Sequence, residues 1–164
     1  MSSGLAVFTL VHVLLSLAGI VAGFVVVFGF LTAKRFDGWT AIFLGTTVLT
    51  SVTGFLFPFH KFLPSHAVGI ISLIALALAI FARYSRNLTG GWRRTYVISG
   101  VIALYLNVFV LVAQLFQKVP ALKAMAPTQS ESPFKIAQLT VLILFLVLGV
   151  LSTRRFRTEQ LRAA

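Results

Sequence analysis

Residues 5–33 read LAVFTLVHVLLSLAGIVAGFVVVFGFLTA, a run that contains no Asp, Glu, Lys or Arg. It exceeds the ~20 residues that carry an α-helix across a bilayer core. No basic segment precedes it and it is too long for the apolar centre of a cleaved signal peptide, so it is expected to be a mature first transmembrane helix.

Similar runs follow at roughly 39–58, 66–84, 95–117 and 134–152. None shows the roughly ten-residue alternation of membrane-barrel strands. The expected fold is therefore all-α, with residues 1–164 forming one integral membrane bundle of about five transmembrane helices. The odd number of spans, and the lack of an internal repeat, argue against the paired inverted halves of many secondary transporters.

Composition agrees. The chain is 59% hydrophobic and 10% charged, against about 45–50% and about 25% in soluble domains. That leaves too little polar surface to coat a water-soluble globule. A net charge of +11, from 14 Lys+Arg against 3 Asp+Glu, would suggest nucleic acid for a soluble protein. Here the bases sit in the links between apolar runs, so the expected partner is the lipid bilayer, with other membrane subunits or further copies of the chain, and no nucleic acid. Cysteine is absent, which excludes disulfides, thiolate metal sites, covalent haem attachment and cysteine nucleophiles.

The links carry turn chemistry. Lys34-Arg35-Phe36-Asp37-Gly38-Trp39 reads as a tight turn, with Asp37 placed to cap the second helix and Trp39 at headgroup level. Asn87-Leu88-Thr89-Gly90-Gly91-Trp92 is a second turn of the same kind, flanked by Tyr84 and Tyr96. Ser65 is placed to cap the third helix. The longest link, Lys118 to Ser132, ends in Ser132-Pro133, a cap followed by a first-turn proline.

With five spans, one side collects Lys34, Arg35, Arg83, Arg86, Arg93, Arg94, Arg154, Arg155, Arg157 and Arg162. The other holds Lys61, Lys118, Lys123 and Lys135. The asymmetry predicts a cytoplasmic C-terminus and an N-terminus outside.

Helical periodicity selects inward faces. His12, Ser16, Gly19 and Gly23 form one small-and-polar stripe. Thr46, Thr50 and Thr53 form another, followed by His66, Gly69, Ser72 and Ala79, by Gly100, Ala103, Asn107, Gln114 and Gln117, and by Gln138, Phe145, Gly149 and Ser152. Such stripes are first of all surfaces for close helix–helix packing. His12, Asn107 and Gln114 stand out, because polar side chains at membrane depth are expensive and tend to face the bundle interior.

The orientation puts all three histidines toward the outer side. His60 and His66 end the second helix and begin the third, and His12 lies about 10 Å inside the first. Gln114, Gln117 and Gln138 end or begin their helices on the same side, with Lys61 and Lys118 at the rim. His12, His66, His60, Gln114 and Gln138 are thus the candidate cofactor-binding residues, with His12 and His66 as candidate metal ligands. Neutral imidazoles from two helices suit a b-type haem or a transition metal. No H-x-x-x-H or E-x-x-H motif is present, and interfacial loop histidines account equally well for two of the three.

No catalytic residue is read from the sequence. Ser16 lies one turn from His12, but no acid is placed to orient the pair. The three acids, Asp37, Glu131 and Glu159, fall outside the spans, whereas intramembrane carboxylates usually carry proton or cation relays.

The segments Thr50 to His60 (TSVTGFLFPFH), Ala103 to Val110 (ALYLNVFV) and Ala126 to Phe134 (APTQSESPF) resemble those of small uncharacterised multi-pass bacterial inner-membrane proteins. The resemblance spans most of the chain and implies a bacterial inner-membrane location. It carries over no activity, cofactor or partner. Three classes follow in order: a non-catalytic accessory or structural subunit of a membrane complex, a haem b- or metal-binding redox protein, and a small transporter or channel.

Overall fold

In the computed structural model, residues 3–58 and 64–156 are described, and all regular structure among them is helical. The order is α1 (Ser3–Leu31), α2 (Asp37–Gly54), α3 (Pro64–Ile80), α4 (Trp92–Lys118), α5 (Pro120–Met125) and α6 (Ser132–Phe156). A π-helical turn over Phe81–Ser85 prolongs α3.

Four of these segments, Ser3–Leu31, Pro64–Ser85, Trp92–Lys118 and Ser132–Phe156, are long and apolar enough to cross a membrane, by length and composition. The Asp37–Gly54 helix has 18 residues and is about 27 Å long. Its apolar content is diluted by Thr40, Thr46, Thr47, Thr50 and Thr53.

Helix α4 is the hub, packing against α1, α3 and α6, while α2 fills the space between α1 and α3. It is buried on adjoining faces along its first half, through Tyr96, Val97, Gly100, Val101, Ala103, Leu104 and Asn107. Around it close Ala22 and Val26 of α1, Phe43 and Leu44 of α2, Leu76 and Ala79 of α3, and Phe145 of α6. Helix α6 touches the rest along a single narrow seam, since Gln138, Phe145, Ser152 and Phe156 are its buried residues. Ile136, Leu139, Ile143, Leu146 and Val150 of the same helix face outward.

The turns differ from expectation in instructive ways. Phe36 is the N-cap of α2 and makes no side-chain capping bond. Asp37, expected as the cap, is already helical and pairs with Arg83 instead. At the end of α1 the chain folds back over Gly29, where a Cβ would lie 2.9 Å from the Lys34 carbonyl oxygen. Leu88 sits at φ 58, a costly conformation for a bulky residue. Burial of its side chain in the core offsets that cost.

The 118–132 link contains the short helix α5, which the pattern did not predict. After it, Glu131 accepts hydrogen bonds from the Thr128 hydroxyl at 2.8 Å and from the Thr128 and Ser130 amides at 3.2 and 3.1 Å. The Thr128 hydroxyl is the main cause of a Glu131 pKa below the ordinary glutamate value.

Candidate functional site

The polar groups buried inside the bundle form a discontinuous seam along α1, α2 and α4. At the histidine end, His12 Nδ1 lies 2.8 Å from Thr53 Oγ1. The Thr53 hydroxyl also lies 2.7 Å from the Leu49 carbonyl and so links the His12 ring to the backbone of α2. The ring also stands edge-on to Phe57, with centroids 5.1 Å apart.

His66 is buried near the start of α3, and its ring centroid is 5.6 Å from that of Phe55. The absence of a side chain on Gly69 admits Phe55, whose ring carbons come within 3.0 Å of where a Cβ would stand. His12 thus meets Thr53 and Phe57, and His66 meets Phe55. Thr53 and Phe55 are separated by about 200° around a helix axis, so the two imidazoles approach the end of α2 on different faces. Among the described residues no three His, Asp or Glu side chains converge as a metal site. His60 and Lys61 lie outside the described residues.

One turn deeper, Ser16 Oγ donates to Asn107 Oδ1 at 3.5 Å. Asn107 Nδ2, Thr47 Oγ1 and Thr50 Oγ1 are buried without a hydrogen-bond partner among the described residues. A Cβ on Gly19 would lie 3.0 Å from both Thr46 Oγ1 and Thr47 Oγ1 and 3.4 Å from Asn107 Nδ2. Glycine at this position is therefore what lets α1, α2 and α4 bring their polar atoms to one point. Ser51 Oγ donates to Ser72 Oγ at 3.2 Å and links α2 to α3.

An apolar layer ends this stretch. A Cβ on Gly23 would lie 2.6 Å from Leu104 Cδ1 and 2.9 Å from Phe43 Cε2. Beyond the layer a second polar group begins, at the basic end of the bundle. Arg83, 6% exposed, ion-pairs with Asp37, whose side chain is 72% exposed. The Arg83 guanidinium also donates to Tyr96 Oη at 3.2 Å and stands 5.3 Å from the centre of that ring. Tyr96 Oη in turn meets Thr40 Oγ1 at 3.3 Å. Three segments are thereby tied together: the start of α2, the π-turn after α3, and the start of α4 through the side chain of Tyr96.

The remaining candidates are dispersed. Gln138 is buried and donates to the Phe109 carbonyl at 3.0 Å, and its Oε1 has no hydrogen-bond partner among the described residues. Gln114 lies two turns beyond Asn107 on the same face of α4, but it is exposed there. Gln117, also exposed, donates to Gln129 at 3.3 Å. Sequence reasoning missed Thr47 and the Arg83–Tyr96–Thr40 network. The signal for Thr47 was its seven-residue spacing from Thr40, two full helical turns on one face.

Comparison with protein-family models, with curated proteins and with solved structures returns no match for this chain. The functional reading therefore rests on the residues themselves.

Proposed function

We propose that this chain is a small polytopic membrane protein, built of five spanning helices including α2, and that it serves as a non-catalytic accessory or structural subunit of a membrane complex. Two features support insertion. The outer surface is an almost continuous apolar jacket, with Leu10, Val21, Phe28, Leu49, Ile74 and Leu146 among the exposed side chains. Most of the bases gather at one end: Arg155 reaches the Leu31 carbonyl at 3.4 Å, Arg93 reaches the Phe156 carbonyl at 3.4 Å, and Arg83 pairs with Asp37. The positive-inside tendency then favours a cytoplasmic basic end, a cytoplasmic C-terminus and an outside N-terminus; the bacterial inner membrane is what the sequence resemblance implies.

The observation that carries the subunit reading is a small-residue stripe left over after the helices pack. Gly38, Ala41 and Gly45 lie on the exposed face of α2, and a Cβ on Gly38 or Gly45 would meet nothing within 4 Å. Small residues at this spacing let a second helix approach closely in lipid. The seam through Asn107 favours a second reading, a small transporter or channel, but the Phe43–Leu104 layer interrupts it.

Because the chain has no cysteine, Gly45→Cys offers a single attachment point for a benzophenone crosslinker in native membranes. A discrete protein adduct is expected from Gly45→Cys and none from Ile143→Cys on the outer face of α6. Lipid adducts alone at both positions would remove the subunit reading.

A further inference from the structure

We propose that the groove between α4 and α6 at the basic end seats one anionic phospholipid, an inference that rests on the membrane reading above. The groove has a volume of about 660 Å³ and an apolar floor that includes Ile98, Val101, Ile102, Phe145 and Val150. Arg94 and Arg154 stand at its mouth. A second cavity of about 260 Å³, lined by Arg93, Arg94, Thr153 and the Gly90–Gly91 backbone, adjoins it. Arg94 and Thr153 line both. The headgroup space and the chain space are therefore continuous.

Dimensions and charge select the occupant. From Arg94 to Ile102 along α4, and from Phe145 to Arg154 along α6, the groove extends about 12–14 Å. That is close to half of the roughly 30 Å hydrocarbon core, the depth of one leaflet. The groove thus accepts an acyl chain along its length while guanidinium groups meet the headgroup where the chain ends. Basic pockets between transmembrane helices on the cytoplasmic side suit anionic headgroups, and fork-shaped guanidinium donors match phosphate oxygens. Gly149 helps to form the trough: a Cβ there would lie 3.6 Å from Val101 Cγ1, so a larger side chain would project into it.

The test is native mass spectrometry of the full chain released from detergent after incubation with phosphatidylglycerol or phosphatidylcholine of matched acyl chains. One phosphatidylglycerol should be retained in preference to phosphatidylcholine. The double variant Arg94→Gln/Arg154→Gln should weaken retention on the order of twenty-five-fold, two surface basic contacts contributing roughly a factor of five each. Val150→Trp, which fills the groove and leaves both arginines, should also release the lipid, and glycerol phosphate alone should not bind. Equal retention of the two lipids, retention by the double variant as by the parent, or binding of glycerol phosphate as tight as that of the lipid would overturn the inference. Resistance to alkaline carbonate extraction from vesicles reports insertion separately. A chain that resists extraction yet fails the lipid test overturns this inference alone, and a chain that is extracted overturns both.

Discussion

Gly23→Ala should destabilise the protein relative to Gly45→Ala by about 1–3 kcal/mol, the usual cost of inserting a methyl group into a well-packed core. Both glycines are interior to helices, Gly23 in α1 and Gly45 in α2. Each alanine therefore brings a similar gain in helix propensity, which cancels in the comparison. What remains is space. The new methyl at Gly23 would meet Leu104 Cδ1 at 2.6 Å and Phe43 Cε2 at 2.9 Å, whereas the methyl at Gly45 would meet nothing within 4 Å. Leu104 and Phe43 are themselves enclosed, at 0% and 2% exposure, so neither can swing aside without moving its own neighbours. Equilibrium unfolding in a mild detergent, followed by circular dichroism, measures the difference. At a slope of about 2 kcal/mol/M it amounts to a midpoint separation of roughly 0.5–1.5 M urea. Coincident transitions, or a more stable Gly23→Ala, would refute the close approach of α1 to α2 and α4 at this layer.

Tyr96→Phe removes the hydroxyl shared by Thr40 and Arg83 and should cost about 1–3 kcal/mol, since buried groups lose a partner. Adding Thr40→Val should then cost less than it does in the parent, because the two residues act on one hydrogen bond; additive losses in detergent unfolding would mean that no such coupling exists. A reporter active only in the periplasm, fused after Ala164, should stay silent, and strong activity would overturn the five-span topology or its orientation.

The helices were legible because their boundaries are written in local chemistry. The charged turn at Lys34–Asp37 and the glycines at 90 and 91 separate α1 from α2 and α3 from α4. Gly19 and Gly23 were legible as a packing face because a four-residue spacing keeps them on one side of α1, and both meet neighbouring helices. Periodicity also has a blind spot. Thr46 and Thr47 are about 100° apart on α2, yet both hydroxyls stand the same 3.0 Å from the point where a Gly19 Cβ would be. A helix that nestles against a glycine is contacted over a wide arc, so the stripe that contains Thr46 omits Thr47, the more deeply buried of the two. α5 and the π-turn were illegible for another reason. Each is shorter than the window over which an apolar period can be seen.

Arg83 shows where reading by composition stops. Counted as a loop charge, it served to orient the bundle, and as a loop charge it would be solvated. The π-turn carries helical structure through Ser85, and this keeps Arg83 in phase with Leu76 and Ala79 on the buried face of α3. A guanidinium on that face needs acceptors and a polarisable surround. Asp37 is the sole acid in the α1–α2 turn, and it arrives from across the bundle only because α2 runs antiparallel to α3. Tyr96 arrives from α4, supplying both an oxygen and a ring face. Each residue was visible alone in the sequence. Their meeting depends on two chain reversals, and no local pattern records it. The same reasoning explains why the histidines read as a group. A shared side of the bundle follows from topology, whereas contact depends on which face of α2 each one reaches, Thr53 for His12 and Phe55 for His66.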